Sequence, residues 1–290
     1  MTILEALNQA TQILREKKIA NPRSTSEIFL SSILNLKRVD LYLNKDRILT
    51  EKENEKLNLY LQQRIFGKPI QYTTGEVGFF GYDFKIDDRA LIPRPETETL
   101  VNEIIQYFKD RKKDCEALKI IDIGTGSGAI AVTLANELRN SLVYATDISK
   151  EALELALENA VKNEVEQRIE FICGDLFEPL KGKNLENSID CIVSNPPYVK
   201  DSEFENLDKE IRDFEPKVAL LSGEDGIDFH TKIAEESVNY LKSGGLLAFE
   251  TGLGDAERLA LFVSSNDSYE NIKIVKDLAE IKRVVLAIKK

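Results

Sequence analysis

Residues 120–129 read Ile-Ile-Asp-Ile-Gly-Thr-Gly-Ser-Gly-Ala, and residues 130–138 continue as an apolar stretch with helical spacing. An apolar run, a glycine-rich turn and a helix in this order predict a strand–turn–helix unit. The glycines let backbone N–H groups approach a ligand, and the helix N-terminus favours polar or anionic groups. The same residues satisfy the G-x-G-x-x-A pattern of dinucleotide-binding proteins, so this segment alone leaves the cofactor class open.

Short β-rich runs alternate with helical segments throughout the rest of the chain. Seven strands are predicted, at residues 119–123, 142–147, 169–174, 189–194, 245–251, 271–276 and 282–288. This alternation is typical of an α/β fold with a parallel sheet, helices on both faces and ligands outside the carboxyl ends of the strands. The last two runs are joined by a connection too short for a helical crossover, so the final strand is expected to pair antiparallel.

The N-terminal part has a different pattern. Three capping boxes of the S/T-x-x-E form, each followed by apolar residues at helical spacing, are expected at Thr2 with Glu5, Ser24 with Glu27, and Thr50 with Glu53. Residues 1–72 are therefore predicted to form a small helical bundle that acts as a docking or capping domain. Residues 73–95 are predicted to form a β-hairpin connector whose Pro95 enters the first turn of the next helix. Residues 96–290 form the larger domain.

The composition is that of a globular protein. Its hydrophobic fraction of 42% and charged fraction of 31% allow a sizeable core. Lys and Arg number 39 against 50 Asp and Glu, and the resulting net charge of −11 disfavours nucleic acid as the main partner. Cys115, Cys173 and Cys191 are odd in number and lack C-x-x-C pairing, which is typical of reduced structural thiols in the cytoplasm rather than of disulfides or zinc ligands. No membrane span is expected.

Three acidic residues occur at positions where a ligand could contact them. Asp147 ends the second strand, where its carboxylate could accept hydrogen bonds from ribose hydroxyls or, alternatively, cap the next helix; Ser149 could be the cap instead. Asp175 could accept the amino group of adenine while Leu176 or Phe177 packs on the ring, or it could be a turn residue. A buried Asp122 would need a partner, either backbone N–H groups of the glycine turn or a cationic part of the ligand.

The most specific motif is Asn195-Pro196-Pro197-Tyr198, which ends the fourth strand. The prolines remove backbone donors and keep the chain extended, so its carbonyl oxygens can accept N–H groups. The Asn195 amide oxygen adds an acceptor and Tyr198 adds a flat face. These features predict a receptor for a planar NH₂ group. His230 is expected on a solvated helix surface, so no general base is predicted.

These motifs together resemble the HemK-like release factor glutamine methyltransferases within the class I methyltransferase superfamily. The resemblance covers nearly the whole chain and is carried by the Asn-Pro-Pro-Tyr motif, the glycine turn, Pro-Arg-Pro-Glu-Thr-Glu at residues 93–98, Phe-Glu-Pro at residues 214–216 and Asp-Leu-Ala at residues 277–279. Asn-Pro-Pro-Tyr is shared with adenine-N6 methyltransferases, whereas residues 93–98 narrow the choice. This chain departs from the family pattern at Leu176, where other members often have an aromatic residue.

The resemblance implies a seven-stranded Rossmann-like class I methyltransferase sheet, S-adenosylmethionine as cofactor, and the glutamine of the Gly-Gly-Gln motif in class 1 peptide chain release factors as substrate. Membrane and metal are not expected. Candidates for holding the substrate amide are Asn195, Pro196, Pro197 and Tyr198. Candidates for contacting the cofactor are Asp122, Gly124, Thr125, Gly126, Ser127, Gly128, Asp147, Ile148, Asp175, Leu176 and Asn195. The alternatives are an adenine-N6 methyltransferase acting on DNA or RNA and a dinucleotide-binding oxidoreductase.

Overall fold

The computed structural model describes residues 1–111 and 117–290, which divide into two compact units. Cys115, predicted to be a structural thiol, lies outside the described residues. The helices are α1 (Ile3–Glu16), α2 (Pro22–Leu34), α3 (Arg38–Leu43), α4 (Glu51–Phe66), α5 (Ile70–Thr74), α6 (Thr97–Asp110), α7 (Ala129–Glu137), α8 (Lys150–Lys162), α9 (Lys209–Phe214), α10 (Asp228–Tyr240) and α11 (Ala256–Ser264). The strands are β1 (Glu76–Phe79), β2 (Tyr82–Lys85), β3 (Lys119–Ile123), β4 (Leu142–Asp147), β5 (Ile169–Cys173), β6 (Ile189–Ser194), β7 (Leu241–Glu250), β8 (Tyr269–Lys276) and β9 (Lys282–Lys289).

The first unit consists of Met1–Gly75 together with Asp208–Phe214, so it contains α1–α5 and the short helix α9. Helices α1–α4 bury apolar residues in a core that includes Leu7, Phe29 and Leu61. Helix α9 joins this unit through the ion pair of Arg64 with Glu210, at 2.5 Å.

Two of the three predicted capping boxes are confirmed. The Thr2 backbone N–H donates to Glu5 Oε2 at 2.8 Å, and the Glu5 N–H donates to Thr2 Oγ1 at 3.2 Å. Thr50 and Glu53 make the same reciprocal pair at 2.8 and 3.3 Å. Each pair satisfies N–H groups that a helix N-terminus leaves without intrahelical partners.

The third predicted capping box, Ser24 with Glu27, is wrong. Helix α2 begins at Pro22, whose fixed φ and missing N–H suit the first helical position, so Ser24 and Glu27 lie inside the helix. The Glu27 side chain is buried and forms ion pairs with Arg23, at 3.3 Å, and with Arg38. Its role is to hold α2 and α3 together.

The second unit consists of Glu76–Leu207 and Glu215–Lys290 and contains a seven-stranded sheet in the order β5-β4-β3-β6-β7-β9-β8. Strands β3–β7 are parallel, and β9 pairs antiparallel with β7 and β8, as predicted for the final strand. Along β3, Ile120 contributes to the core on one face, and Ile121 and Ile123 contribute to the core on the other. Both faces are buried, which explains the continuous apolar runs of the parallel strands.

The strand order reverses next to β3, at the centre of the sheet. From β3 the chain runs outward through β4 and β5, then returns to β6 on the other side of β3. Crevices at such reversals, outside the carboxyl ends of the strands, are where α/β sheets bind ligands. The glycine turn follows β3 and the Asn-Pro-Pro-Tyr motif follows β6, so both motifs lie at this reversal.

The predicted β-hairpin is present as β1 and β2, and it is fixed to the sheet domain by polar contacts. Asn159 of α8 accepts from the Lys85 N–H at 2.6 Å and donates to the carbonyl oxygens of Lys85 and Ser127, each at 2.9 Å. Glu98 Oε1 accepts the Phe80 N–H at 2.8 Å. The expectation that Pro95 enters the next helix is wrong: α6 begins at Thr97, after a turn in which Thr97 N–H donates to the Arg94 carbonyl oxygen at 3.1 Å.

Within residues 1–111 and 117–290, no helix combines the length and the apolar character needed to cross a membrane.

Candidate active site

A cavity of about 180 Å³ opens at the carboxyl ends of β3, β4, β5 and β6 within the second unit. Its wall contains most of the predicted site residues: Gly124, Thr125, Gly126, Ser127, Asp147, Ile148, Asp175, Leu176, Asn195, Pro196 and Pro197. The wall does not include Asp122 and Gly128, which are buried, or Tyr198, which is partly exposed. Other residues of the wall, among them Arg94, Thr97 and Pro216, come from segments outside the sheet.

The glycine turn is held by bonds to β4. The N–H groups of Gly124 and Thr125 both donate to the Thr146 carbonyl oxygen, at 2.9 and 3.0 Å, and the Gly126 N–H donates to Asp147 Oδ2 at 2.8 Å. Gly128 is the N-cap of α7 and has φ of 80°. A Cβ there would lie 3.0 Å from the Ala156 Cβ, so Gly128 allows α7 and α8 to pack closely behind the turn.

Asp147 is half-buried and makes two backbone contacts, because its second oxygen, Oδ1, accepts the Ser149 N–H at 2.9 Å. Burial raises the pKa of the Asp147 carboxyl, and the hydrogen bonds from Ser149 and Gly126 partly oppose this effect. Helix α8 is capped by Ser149, whose Oγ accepts the Ala152 N–H at 3.1 Å. The alternative interpretation of Asp147 as the helix cap is therefore wrong. Its carboxylate lies on the cavity wall, where it can accept further hydrogen bonds.

Asp122 is fully buried under the glycine turn. Its Oδ2 accepts the Thr125 hydroxyl at 2.6 Å, while Oδ1 has no hydrogen-bond partner among the described residues. Burial raises the pKa of Asp122 to about 7, with a further contribution from the Asp147 charge, and the Thr125 hydrogen bond opposes both. Two partners were expected for Asp122, backbone N–H groups of the glycine turn or a cationic part of the ligand, and the Thr125 hydroxyl that Oδ2 accepts is neither of them.

The two apolar residues of the turn after β5, Leu176 and Phe177, face different environments. Leu176 lines the cavity together with the exposed Asp175. Phe177 is buried in the core instead, stacked on Tyr240 with ring centroids 4.9 Å apart. Of the two candidates for contact with a bound ring, only Leu176 is in reach of the cavity.

The Asn-Pro-Pro-Tyr motif presents its first three residues to the cavity. The Asn195 amide nitrogen, Nδ2, donates to Thr97 Oγ1 at 3.3 Å. The Tyr198 ring lies against the Gly252 backbone, since a Cβ at Gly252 would come within 3.2 Å of Tyr198 Cδ2. Burial raises the pKa of Tyr198 to about 12, and the Glu250 charge adds to the shift, so the phenol stays neutral.

The expectation of a solvated His230 is wrong. The side chain is fully buried on α10, with Nε2 lying 2.8 Å from the Glu250 carbonyl oxygen and the ring packed edge-on against Phe249. Burial lowers the pKa of His230 to about 4, so the ring is neutral at pH 7. His230 is outside the cavity wall, and its position under the sheet edge gives it a structural role.

Several residues at the site were not predicted as site residues, and four of them are polar or charged groups near Arg94 and Asn195: Arg94, Thr97, Glu215 and Glu250. Arg94 lines the cavity and pairs with the buried Glu215 at 2.6 Å, and burial raises the pKa of that carboxyl. Thr97 and Glu250 adjoin Asn195. Arg94 and Thr97 belong to the Pro-Arg-Pro-Glu-Thr-Glu segment, and Glu215 belongs to the Phe-Glu-Pro segment. Both segments were noted in the sequence, so these motifs could have indicated the three residues as part of the site. Glu250 is an isolated acidic residue at the end of an apolar strand, and this pattern is the one that drew attention to Asp122.

Comparison with known proteins gives two matches to family models, "PrmC N-terminal domain" over residues 5–75 and "Methyltransferase small domain" over residues 101–212. The release factor glutamine methyltransferase of Chlorobaculum tepidum is 35% identical, covering 97% of this chain and 95% of that protein. That of Bacillus cereus is 35% identical, covering 99% of both. The chain belongs to the release factor glutamine methyltransferase family.

Membership in the release factor glutamine methyltransferase family confirms the predicted resemblance. The fold has a further counterpart in the hMettl16 catalytic domain in complex with a MAT2A 3′UTR hairpin, with a TM-score of 0.56 and 17% identity, covering 85% of this chain and 84% of that one. Together with the match to the Methyltransferase small domain, this likeness in fold confirms the predicted class I methyltransferase fold. S-adenosylmethionine is the methyl donor implied by the family, as expected from the sequence, and the cavity suits it: the glycine turn, the Asp147 carboxylate and apolar side chains line one space.

Proposed function

We propose that this protein transfers a methyl group from S-adenosylmethionine to the side-chain amide nitrogen, N5, of the glutamine in the Gly-Gly-Gln motif of a class 1 peptide chain release factor. The observation that carries the proposal is the position of Asn195, which lies in one cavity wall with the glycine turn and Asp147. A planar amide that reaches Asn195 would therefore be next to a cofactor held by the turn.

The residues at the end of β6 would supply what a weak nucleophile needs. The lone pair of an amide nitrogen is delocalised, and S-adenosylmethionine supplies an electrophilic methyl on a positively charged sulfur. Acceptors on both N–H groups, the Asn195 amide oxygen and a carbonyl oxygen of the Asn195–Pro196 segment, would orient the nitrogen and stabilise its growing positive charge. The new N–C bond forms as the S–C bond breaks, and the nitrogen then loses a proton to solvent. No buried base is required.

The remaining predicted site residues are assigned to the cofactor. We assign the ribose hydroxyls to Asp147, the adenine to Ile148, Asp175 and Leu176, and the polar end of the cofactor to the glycine turn, residues 124–128, with Asp122 beneath it. Their support is their common position on the wall of the cavity or directly behind it. Asn195 would contact both ligands, and Pro196, Pro197 and Tyr198 would hold the substrate amide and its immediate surroundings.

We further assign substrate docking to the first unit, a helical bundle without a cavity residue of its own. We propose that the three predicted segments have separate roles: residues 1–72 dock the substrate, residues 73–95 connect the two domains, and residues 96–290 carry out methyl transfer. The proposed location is the cytoplasm, consistent with Cys173 and Cys191 as free thiols. The net charge of −11 favours a protein substrate over nucleic acid.

The proposal is tested by methyl incorporation from labelled S-adenosylmethionine. The acceptors are a purified release factor, its variant with Gln→Ala in the Gly-Gly-Gln motif, and bulk DNA and RNA. We expect incorporation into the unmodified release factor alone, with N5-methylglutamine as the product on mass spectrometry. Incorporation that persists in the Gln→Ala variant would place the methyl group elsewhere on the protein. Incorporation confined to nucleic acid would favour the adenine-N6 alternative.

A further inference from the structure

A buried carboxyl lies immediately behind Asn195. Glu250 ends β7, next to the carboxyl end of β6, and only 1% of its surface is exposed. The side chains of Thr97 and Asn195 interact with this carboxyl and favour its charged form. Its Oε2 nevertheless has no hydrogen-bond partner among the described residues. Burying a carboxylate with an unsatisfied oxygen costs free energy, so stability of the fold is a poor explanation for its presence.

The Asn195 amide has two chemically different ends, and only one is useful to a substrate N–H. Its oxygen can accept, whereas its NH₂ group can only donate. Asn195 Nδ2 donates to Thr97 Oγ1 at 3.3 Å, which turns the amide oxygen away from Thr97. A side-chain amide that could rotate by half a turn would instead present an NH₂ group to the substrate NH₂, and the two donors would repel.

The direction of the Thr97 hydrogen bond depends on a neighbour, because a hydroxyl can donate as well as accept. When Thr97 Oγ1 accepts from Asn195, its single proton must be given to another acceptor. Glu250 directly follows Phe249, which pairs with Ser194 in the sheet, so it lies at the same strand ends as Asn195. Its carboxylate interacts with the Thr97 hydroxyl and, when ionised, has no proton to donate. The relay from Asn195 to Thr97 to Glu250 therefore has one favourable direction.

We propose that Glu250 and Thr97 are positioning residues that hold the Asn195 amide with its oxygen toward the substrate amide. The inference rests on the proposed function, since it assumes that the acceptor on Asn195 meets an N–H group. Neither residue is required to touch the transferred methyl group. Their effect is larger on the rate of transfer than on the affinity for cofactor.

Protonation of Glu250 would reverse the relay, because a neutral carboxyl can donate to Thr97 Oγ1. Burial raises the pKa of Glu250 to about 7; Thr97 and the Arg283 charge oppose this shift, and Glu96 adds to it. Tyr198 also faces the carboxyl and stays neutral, with its pKa raised to about 12. His230 contacts the Glu250 backbone and, with its pKa lowered to about 4, stays neutral near pH 7. We therefore expect kcat to fall as the pH decreases through about 7.

The experiment compares the full-length protein with Glu250→Gln, Thr97→Val and Thr97→Ser, with release factor as acceptor. Glu250→Gln replaces an obligatory acceptor by a neutral group that can also donate, so kcat at pH 8 should fall at least about 10-fold, and the decrease of kcat near pH 7 should disappear. Thr97→Val conserves shape but removes the hydroxyl and should lower kcat similarly. Thr97→Ser should recover most of the turnover that Thr97→Val loses. Because Asn195 would contact both ligands, the Kd for S-adenosylmethionine and the KM for release factor can also change, but by a smaller factor than kcat in all three.

Two results would overturn the inference. One is a wild-type kcat and pH profile in both Glu250→Gln and Thr97→Val. The other is a loss of cofactor affinity in proportion to the loss of kcat, which would indicate a structural role. If Glu250→Gln fails to fold, the Thr97→Val and Thr97→Ser pair decides alone. Failure of the proposed function itself is distinguishable, because the wild-type protein would then not methylate the release factor at all.

Discussion

Removal of the Asp147 carboxylate tests whether one side chain both shapes the glycine turn and binds the cofactor. In the structure, its two oxygens accept the Gly126 N–H at 2.8 Å and the Ser149 N–H at 2.9 Å. Asp147→Ala removes both bonds at once. Because bonds to charged groups contribute about 1.5–3 kcal/mol each and the burial of Asp147 offsets part of this, we expect the free energy of unfolding to fall by about 1–3 kcal/mol.

The effect on binding is separate. Loss of a charged acceptor for ribose hydroxyls should weaken S-adenosylmethionine by about 1.5–3 kcal/mol, which corresponds to a roughly 10- to 150-fold increase in Kd. Titration calorimetry at a temperature well below the unfolding transition gives Kd for the folded protein. Urea denaturation without cofactor gives the free energy of unfolding.

Ser149→Ala is the matched control for this measurement. It removes the N-cap of α8, two residues from Asp147, and should lower the free energy of unfolding by about 1 kcal/mol. Its Kd for S-adenosylmethionine should stay near the wild-type value. A folded Asp147→Ala protein that binds the cofactor with wild-type affinity would refute the assignment of Asp147 to the ribose. Equal losses of affinity in Asp147→Ala and Ser149→Ala would show that cofactor binding depends on the conformation of this segment rather than on a direct contact with the Asp147 carboxylate.

Three further substitutions test the packing behind the glycine turn and the burial of His230. Gly128→Ala should lower the free energy of unfolding by about 2 kcal/mol, because φ is 80° and the new Cβ would lie 3.0 Å from the Ala156 Cβ. Gly126→Ala should lower it by less, because φ is 56° there and no heavy atom lies within 4 Å of the new Cβ. Thermal denaturation that ranks the two variants in the reverse order would contradict this. His230 has a pKa of about 4 in the folded protein, compared with an ordinary value of 6.5. As the pH decreases, the unfolded chain therefore binds a proton at this residue before the folded protein does. The contribution of the neutral His230 ring to the free energy of unfolding is lost as the pH falls from 6.5 to 4. Wild type should therefore lose about 3 kcal/mol more than His230→Gln between pH 7 and 4 in urea denaturation, and parallel pH profiles would rule out the buried neutral ring.

Local sequence signals were sufficient wherever neighbouring residues along the chain decide the structure. The glycine turn, the Thr2 and Thr50 capping boxes, the positions of the sheet strands along the chain and the antiparallel final strand all follow from patterns within about 15 residues, since hydrogen bonds of turns and caps are local. The same reasoning failed at Ser24 and Glu27. A proline at Pro22 starts that helix earlier, and Glu27 is used by Arg38 from the next helix.

What the sequence by itself determined is the family, the α/β sheet and the two motifs that meet at its central edge, because each is encoded in a short run of residue types. Only the tertiary structure decided which side chains reach the cavity. It placed Leu176 on the wall and Phe177 in the core, buried His230, and brought Thr97 and Glu250, 153 residues apart along the chain, to the same amide. Burial and contacts between distant strands set these outcomes, and neither is a property of any local stretch of sequence.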